Sequence, residues 1–241
     1  MRILLLFFFN LLIHSIFAQS PKKQFFPTKI SKVVLNLKAE LEIIRQNELL
    51  EKSNLTIAEA KERDFLLEKH GEMVTSIWDI LEGGCSWYCG GGNYKIKASS
   101  NLKTENKTSY NAENANDLNY KTAWVEGKPD DGIGEYLEYY FKNNSARVTK
   151  IIISNGYMKS DDAWKNNNRV KKLKLFVNNK EYGLLNLEDS KSDQEFEIGT
   201  FGRNKNKTDL IFKFEIVEIY KGEKFSDTVI TEIYFDGIDV H

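Results

Sequence analysis

Proline, cysteine and histidine are nearly missing from this chain: three, two and three residues respectively among 241. So little proline excludes a proline-rich stalk or a collagen-like polymer, and two cysteines exclude a small scaffold held together by many disulfides. Stability must then come mainly from packing. Of the histidines, His14 lies in the apolar leader, which leaves His70 in a polar helical stretch and His241 at the last position. A relay built on imidazole would have to join distant parts of the chain. A surplus of one charge is also lacking. Thirty-four Lys and Arg stand against 35 Asp and Glu, a formal net charge of −1, so no basic excess marks a dedicated nucleic-acid binder. No Gly-x-Ser-x-Gly elbow, His-Glu-x-x-His pair, phosphate loop or dinucleotide-binding glycine pattern occurs.

What the chain does hold is apolar material, 41% hydrophobic with 12% aromatic, enough for a sizeable core. Its longest apolar run comes first. Met1-Arg2 precede Ile3 to Phe17, broken only by Asn10, His14 and Ser15, and small Ala18 stands before Gln19-Ser20. Residues 1–18 therefore read as a secretory signal peptide cleaved after Ala18. The run is shorter than the roughly 20 residues that span a bilayer, and no later segment is apolar enough to do so. The expected location is secreted, periplasmic or at the cell surface.

Three zones follow. Residues 19–82 read as a helical extension: Val33, Val34, Leu37, Leu41 and Ile44 recur at helical spacing, and Leu49 and Leu50 follow. Ser53 to Thr56 then break the pattern and supply a fresh cap for Ile57, Ala60, Phe65 and Leu67. Residues 83–93 are a Gly/Cys-rich junction. From 94 to 241 short alternating runs are separated by Asn, Asp, Gly and Lys, the pattern of an all-β domain of roughly eight strands and of jelly-roll size. Leu210, Phe212, Phe214 and Ile216 share one face, after which Val217 and Ile219 change parity, predicting a β-bulge.

Cys85 and Cys89 enclose three residues, neither a redox pair nor half of a zinc site. Secretion points to a structural disulfide, with two buried thiols as the alternative. Asp130-Asp131 and Asp161-Asp162 raise the question of a glycosidase pair, but Pro129-Asp130-Asp131-Gly132 is a turn sequence, and adjacent carboxylates do not face one another across a sugar.

The segment from Asn155 to Arg169 is longer than a hairpin turn and carries groups suited to hydroxylated ligands. Tyr157 and Trp164 offer flat apolar faces, Lys159 and Arg169 offer donors, and Asn155 and Asn168 offer orienting amides. The alternative is structural: Trp164 folds inward and Arg169 pairs with Asp161 or Asp162 to brace the loop. Trp124 reads as a core residue.

Three stretches in order carry a family resemblance: Ala98-Ser99-Ser100-Asn101-Leu102, then Asn116 through Gly127, then Gly132-Ile133-Gly134-Glu135. Together with Asn155-Gly156-Tyr157 to Arg169-Val170, and Tyr220-Lys221-Gly222 through Asp227, Ile230 and Glu232-Ile233, they resemble a discoidin-like (F5/8 type C) domain with a galactose-binding-like fold. More narrowly, they are similar to the translocation, glycan-binding-type domain of secreted bacterial NAD glycohydrolase toxins. The resemblance covers about residues 85 to 238. It implies a jelly-roll sandwich without catalytic activity of its own, binding carbohydrate through loops at one end. It also implies a structural Ca²⁺ held by Asp117, Thr122 and Glu232, with Asn119 as a further ligand, although Leu118 stands where relatives commonly have glycine. No counterpart of the toxins' NAD-cleaving domain is expected.

The expectation is thus an all-β jelly-roll sandwich preceded by an N-terminal α-helical extension. It would act as a secreted, non-catalytic carbohydrate-binding module for a glycan or glycoconjugate. An extracellular protein–protein interaction or adhesion module is the alternative.

Overall fold

A computed structural model describes residues 23–81, 86–104 and 108–240. In chain order its elements are β1 (Gln24–Phe25), β2 (Lys29–Lys32), α1 (Leu37–Glu51), α2 (Ile57–His70), β3 (Lys95–Ala98), β4 (Trp124–Val125), β5 (Tyr136–Phe141), β6 (Arg147–Asn155), α3 (Asp161–Asn166), β7 (Asn168–Val177), β8 (Lys180–Asn186), β9 (Ser192–Phe201), β10 (Leu210–Tyr220) and β11 (Thr228–Ile238). The fold is the expected jelly-roll sandwich. One layer runs β3-β5-β10-β7 and continues through β8 to β1; the other runs β2-β9-β6-β11, with β4 beside β11. A short parallel pairing of Thr228 and Val229 with Asn168 and Arg169 joins the layers.

Alternation explains the layers. In β5, Leu137, Tyr139 and Phe141 point into the core while Tyr136, Glu138 and Tyr140 do not, and β10 buries Leu210, Phe212, Phe214 and Ile216 in the same way. The core is rich in rings. Phe235 meets Phe141 edge-on at 4.9 Å and Tyr139 at 5.1 Å. Each such side chain contributes about 1.5–3 kcal/mol by burial. Trp124 is fully buried and donates its indole N–H to the Ser100 carbonyl at 2.9 Å. The β-bulge falls where the parity change predicts it, with register shifts between Ile216 and Ile219.

The extension differs from its sequence reading. The chain before α1 is not helical, and β2 instead pairs antiparallel with β9. The physical reason is Asn36, whose side chain accepts from the Lys38 and Ala39 amides and starts the helix there, leaving Val33 and Val34 outside it. Thr56 caps α2 as expected, in a capping box with Glu59. The two helices pack on each other, with Ile43, Leu49 and Leu66 buried and a forked Arg45–Glu62 contact at 3.0–3.1 Å. Beyond them the chain docks on the sandwich: Ile80 donates to the Leu118 carbonyl and Tyr120 donates to that of Trp78. The signal segment lies outside the described residues. So does Cys85, and with it the Cys85–Cys89 pairing.

Gly237 occupies a second irregularity, a register shift between Asp236 and Gly237 in the pairing with β6. A Cβ there would lie 1.9 Å from the Arg147 carbonyl oxygen, the same oxygen that accepts from the Trp87 indole at 3.2 Å. Gly237→Ala is therefore expected to destabilise the fold by at least about 2 kcal/mol, read as a lowered urea midpoint. An unchanged midpoint would show that this seam yields easily.

Candidate functional site

The segment after β6 is built around Gly156, whose φ of +83° and close approach to Trp164 and Arg169 leave no room for a side chain. Ser160 caps α3 by accepting from the Ala163 amide at 3.0 Å, and Asp161 and Asp162 occupy its first turn, the end of the helix that favours acids. Trp164 turns back and donates its indole N–H to the Asn155 carbonyl at 2.9 Å. Its ring carries the Arg169 guanidinium at 4.6 Å.

Arg169 is buried. It forks onto Asp189 at 3.0 and 2.9 Å and gives its remaining nitrogen to the carbonyls of Lys165, Asn167 and Lys221. The brace foreseen for it exists, but the partner is Asp189; Asp161 pairs with Lys191 instead. Asn155 and Asn168 are fully buried. Asn155 exchanges two hydrogen bonds with the Val170 backbone. Asn168 donates to Asp131 and the Ser226 carbonyl and accepts from the Gly222 amide. The placement of these three as sugar contacts is thereby corrected: their hydrogen-bonding groups are taken up inside the protein, where they hold the loops together. Pro129 to Gly132 is the expected turn, with Asp130 accepting from the Gly132 amide at 2.9 Å.

Tyr157 and Lys159 reach an open cleft at this end of the sandwich, about 380 Å³ in volume, which Tyr110, Asn166, Asn167, Phe225 and Asp227 also line. Tyr157 is mostly covered, its ring packed with Ala123, Val125 and Val229 and the Lys159 ammonium 4.3 Å above it. Phe225 is 44% exposed. Sequence reasoning missed Phe225 and Tyr110, whereas Asn166 lies in the segment singled out for binding. The signal for Phe225 was a single ring within the polar run Lys221 to Asp227, and its meaning depends on which loops the fold gathers at one end.

Beside the cleft, Glu126 is fully buried and accepts from the Lys128 and Thr228 amides at 2.7 and 3.2 Å. Burial, with Asp227 and Asp130 nearby, pushes its carboxyl up to about 7.

The loop between the 3₁₀ turn Ala112–Ala115 and β4 carries the metal expectation. Leu118 adopts φ +60°, so the left-handed turn usual for glycine is made here by leucine. Thr122 donates to Asp117 at 2.6 Å. Glu232 is fully buried; one of its oxygens accepts from the Asn119 amide at 3.2 Å, and the other is buried with no hydrogen-bond partner. Burial first, and then neighbouring Asp117, hold this carboxyl well above the usual carboxylate range. The Asn119 side chain turns elsewhere, accepting from the Lys121 amide and reaching Asp79. Two apposed carboxylates, one with an orphaned oxygen, fit a hard cation. Among the described residues no group of three or more His, Cys, Asp or Glu is gathered for a metal.

Residues 87–236 match the model of the NAD glycohydrolase translocation F5/8 type C domain. The chain belongs to that family. The model matched is that of a translocation domain rather than of a catalytic one. Similar solved structures include CpGH89CBM32-5 from Clostridium perfringens in complex with GalNAc-β-1,3-galactose, at 17% identity and TM-score 0.40, covering 59% of this chain and 94% of that one. The family 32 carbohydrate-binding module of C. perfringens NanJ in complex with galactose is similar at 16% identity and TM-score 0.40, covering 58% and 91%. The Streptococcus pyogenes NAD⁺-glycohydrolase translocation domain is similar at 25% identity and TM-score 0.33, covering 48% and 97%. No match to a curated protein was found. No described helix of this translocation-family chain is long and apolar enough to cross a membrane.

Proposed function

We propose that this translocation-family domain is a secreted, non-catalytic glycan-binding module whose sugar contacts lie in the loop-end cleft. The observation that carries the reading is the exposed ring of Phe225 on the wall of an open cleft with Lys159 and Asn166 at its rim. The C–H face of a sugar lies on such a ring while its hydroxyls meet the amide and the ammonium. Tyr110 and the accessible edge of Tyr157 extend the apolar wall. Trp164, Asn155, Asn168 and Arg169 act behind it, fixing the loops that shape the cleft. One shallow cleft supports millimolar to micromolar affinity, roughly 4 to 8 kcal/mol, so strong retention requires several copies or a polymeric ligand.

The test is a glycan array followed by titration. Phe225→Ala is expected to weaken binding about tenfold with the thermal midpoint unchanged, because the ring is half exposed. No saturable binding to any glycan, or wild-type binding by Phe225→Ala, would sink the proposal.

One observation favours the second reading, a protein-interaction module. The α1–α2 hairpin exposes Leu37, Leu41, Ile57 and Phe65 at 60–81%, more apolar surface than a finished helical face leaves in water. Capture of a protein partner that glycan competitors do not release supports that reading.

Calcium belongs to the proposal through Asp117 and Glu232. Thr122 and the backbone of Asn119 supply further oxygens of the hard type. When bound, the ion would compensate two carboxylates that otherwise repel each other, and would tie the β4 loop to β11.

A further inference from the structure

Most lysines on the sandwich whose neighbours are carboxylates are paired with them: Lys150 with Glu195, Lys171 and Lys172 with Glu218, Lys174 and Lys213 with Glu215, and Lys221 with Asp131. Lys121 and Lys159, like Lys95, Lys97 and Lys224, lie over a ring and form no salt bridge among the described residues, and of these five they are the two that share a cleft. The ammonium of Lys121 is 5.8 Å from the Trp78 ring and that of Lys159 is 4.3 Å from the Tyr157 ring. An aromatic face positions an ammonium without neutralising it, since the ring offers a quadrupole and not a counter-charge.

Both lysines line one cleft of about 350 Å³. Its other described walls are Thr108, Ser109, Asn114, Thr122 and Tyr157, neutral groups with hydroxyl and amide functions and no carboxylate. Asn114 gives its N–H groups to the carbonyls of Ser109 and Ala123, which holds the cleft's wall against β4. Tyr157 and Lys159 also line the Phe225 cleft, so the two depressions adjoin across this pair. A guest on the Phe225 ring therefore has two unpaired cations in reach of its next residue or substituent.

We infer that the glycan bound here is anionic, with its neutral ring at Phe225 and a carboxylate or sulfate between Lys159 and Lys121. This inference rests on the glycan-binding reading and specifies its ligand. The shared chemistry is a negative group on a sugar. A sialic or uronic acid supplies it as carboxylate and an esterified sugar supplies it as sulfate.

The test uses the full mature chain over four immobilised probes: lactose, 3′-sialyllactose, lactose 3′-sulfate and digalacturonic acid. At low salt at least one acidic probe is expected to bind about tenfold more tightly than lactose, with the preference shrinking as salt is added. Lys121→Gln and Lys159→Gln are each expected to reduce the acidic-to-neutral ratio severalfold, with circular dichroism confirming that both fold. Preference for 3′-sialyllactose or digalacturonic acid assigns a carboxylate, and preference for lactose 3′-sulfate assigns a sulfate. Equal binding of lactose and every acidic probe, or a ratio unmoved in both variants, overturns the inference while leaving a neutral glycan module standing. No binding to these probes or to any array glycan overturns both.

Discussion

In calcium-free buffer the thermal midpoint is expected to fall by about 5–10 °C as pH rises from about 5 to about 8. The cause is a set of buried carboxyls. Glu126 is pushed up to about 7 by burial, Asp193 is raised by burial although Ser154 and Tyr120 donate to it, and Glu232 is held well above the usual range. In the unfolded chain each loses its proton near the ordinary carboxylate value, whereas in the native state the proton stays longer. Through that window the native protein binds more protons than the unfolded one, so raising the pH removes stability. For Glu126 alone the shift corresponds to roughly 3 kcal/mol. Carboxylates shifted the other way do not cancel this. Glu59, lowered to about 2 by its hydrogen bond with Lys52, and Glu218, lowered by Lys171 and Lys172, lose their contribution only as pH falls below the ordinary range. Their share is complete above pH 5. Calorimetry across the range reads the slope, and Glu126→Gln should flatten it whatever it does to the midpoint at pH 5. On the proposal that Asp117 and Glu232 hold calcium, the ion would favour their ionised forms, so millimolar calcium is expected to raise the midpoint more at pH 8 than at pH 5. A wild-type midpoint that climbs with pH in chelator would refute the role given to these groups.

Arg169→Ala is expected to cost about 3–5 kcal/mol of stability, measured by urea unfolding. The guanidinium is buried, forks onto Asp189 and serves three carbonyls, so its loss leaves a carboxylate and several backbone acceptors without their donor. Trp164 loses the cation stacked on it as well. Arg169→Lys keeps the charge but not the fork, and should recover only part of the loss. If Arg169→Ala were within about 0.5 kcal/mol of wild type yet abolished glycan binding, Arg169 would be a direct ligand contact and the structural role assigned here would fail. Phe225→Ala should show the opposite profile, with weaker binding and unchanged stability. Together the two substitutions separate the frame of the cleft from its surface.

The sandwich was legible because alternation is a local property. Leu137, Tyr139 and Phe141, or Leu210, Phe212 and Phe214, declare a buried face within one strand, and the parity change at Val217 marks the bulge. The start of α2 was legible for the same reason, since Ser53 to Thr56 break the helical pattern directly before Ile57, while the reciprocal bond from Glu59 emerged with the structure. Val33 and Val34 misled because apolar residues at helical spacing do not show where Asn36 starts the helix. The cleft was legible only in part. Tyr157 and Lys159 belong to the segment singled out for binding, yet Asn155, Asn168 and Arg169 in that segment face inward to partners far away in sequence: Asp131, Asp189, Lys221 and Gly222.

By sequence alone, then, this protein was determined to be a β-sandwich with a helical appendage and a loop rich in rings and polar donors, because side-chain periodicity and capping act over a few residues. Tertiary structure alone decided which of those donors still face solvent. A polar group is open to a ligand only if no neighbour has already satisfied it, and those neighbours are brought together when the loops after β4, β6 and β10 meet at one end of the fold.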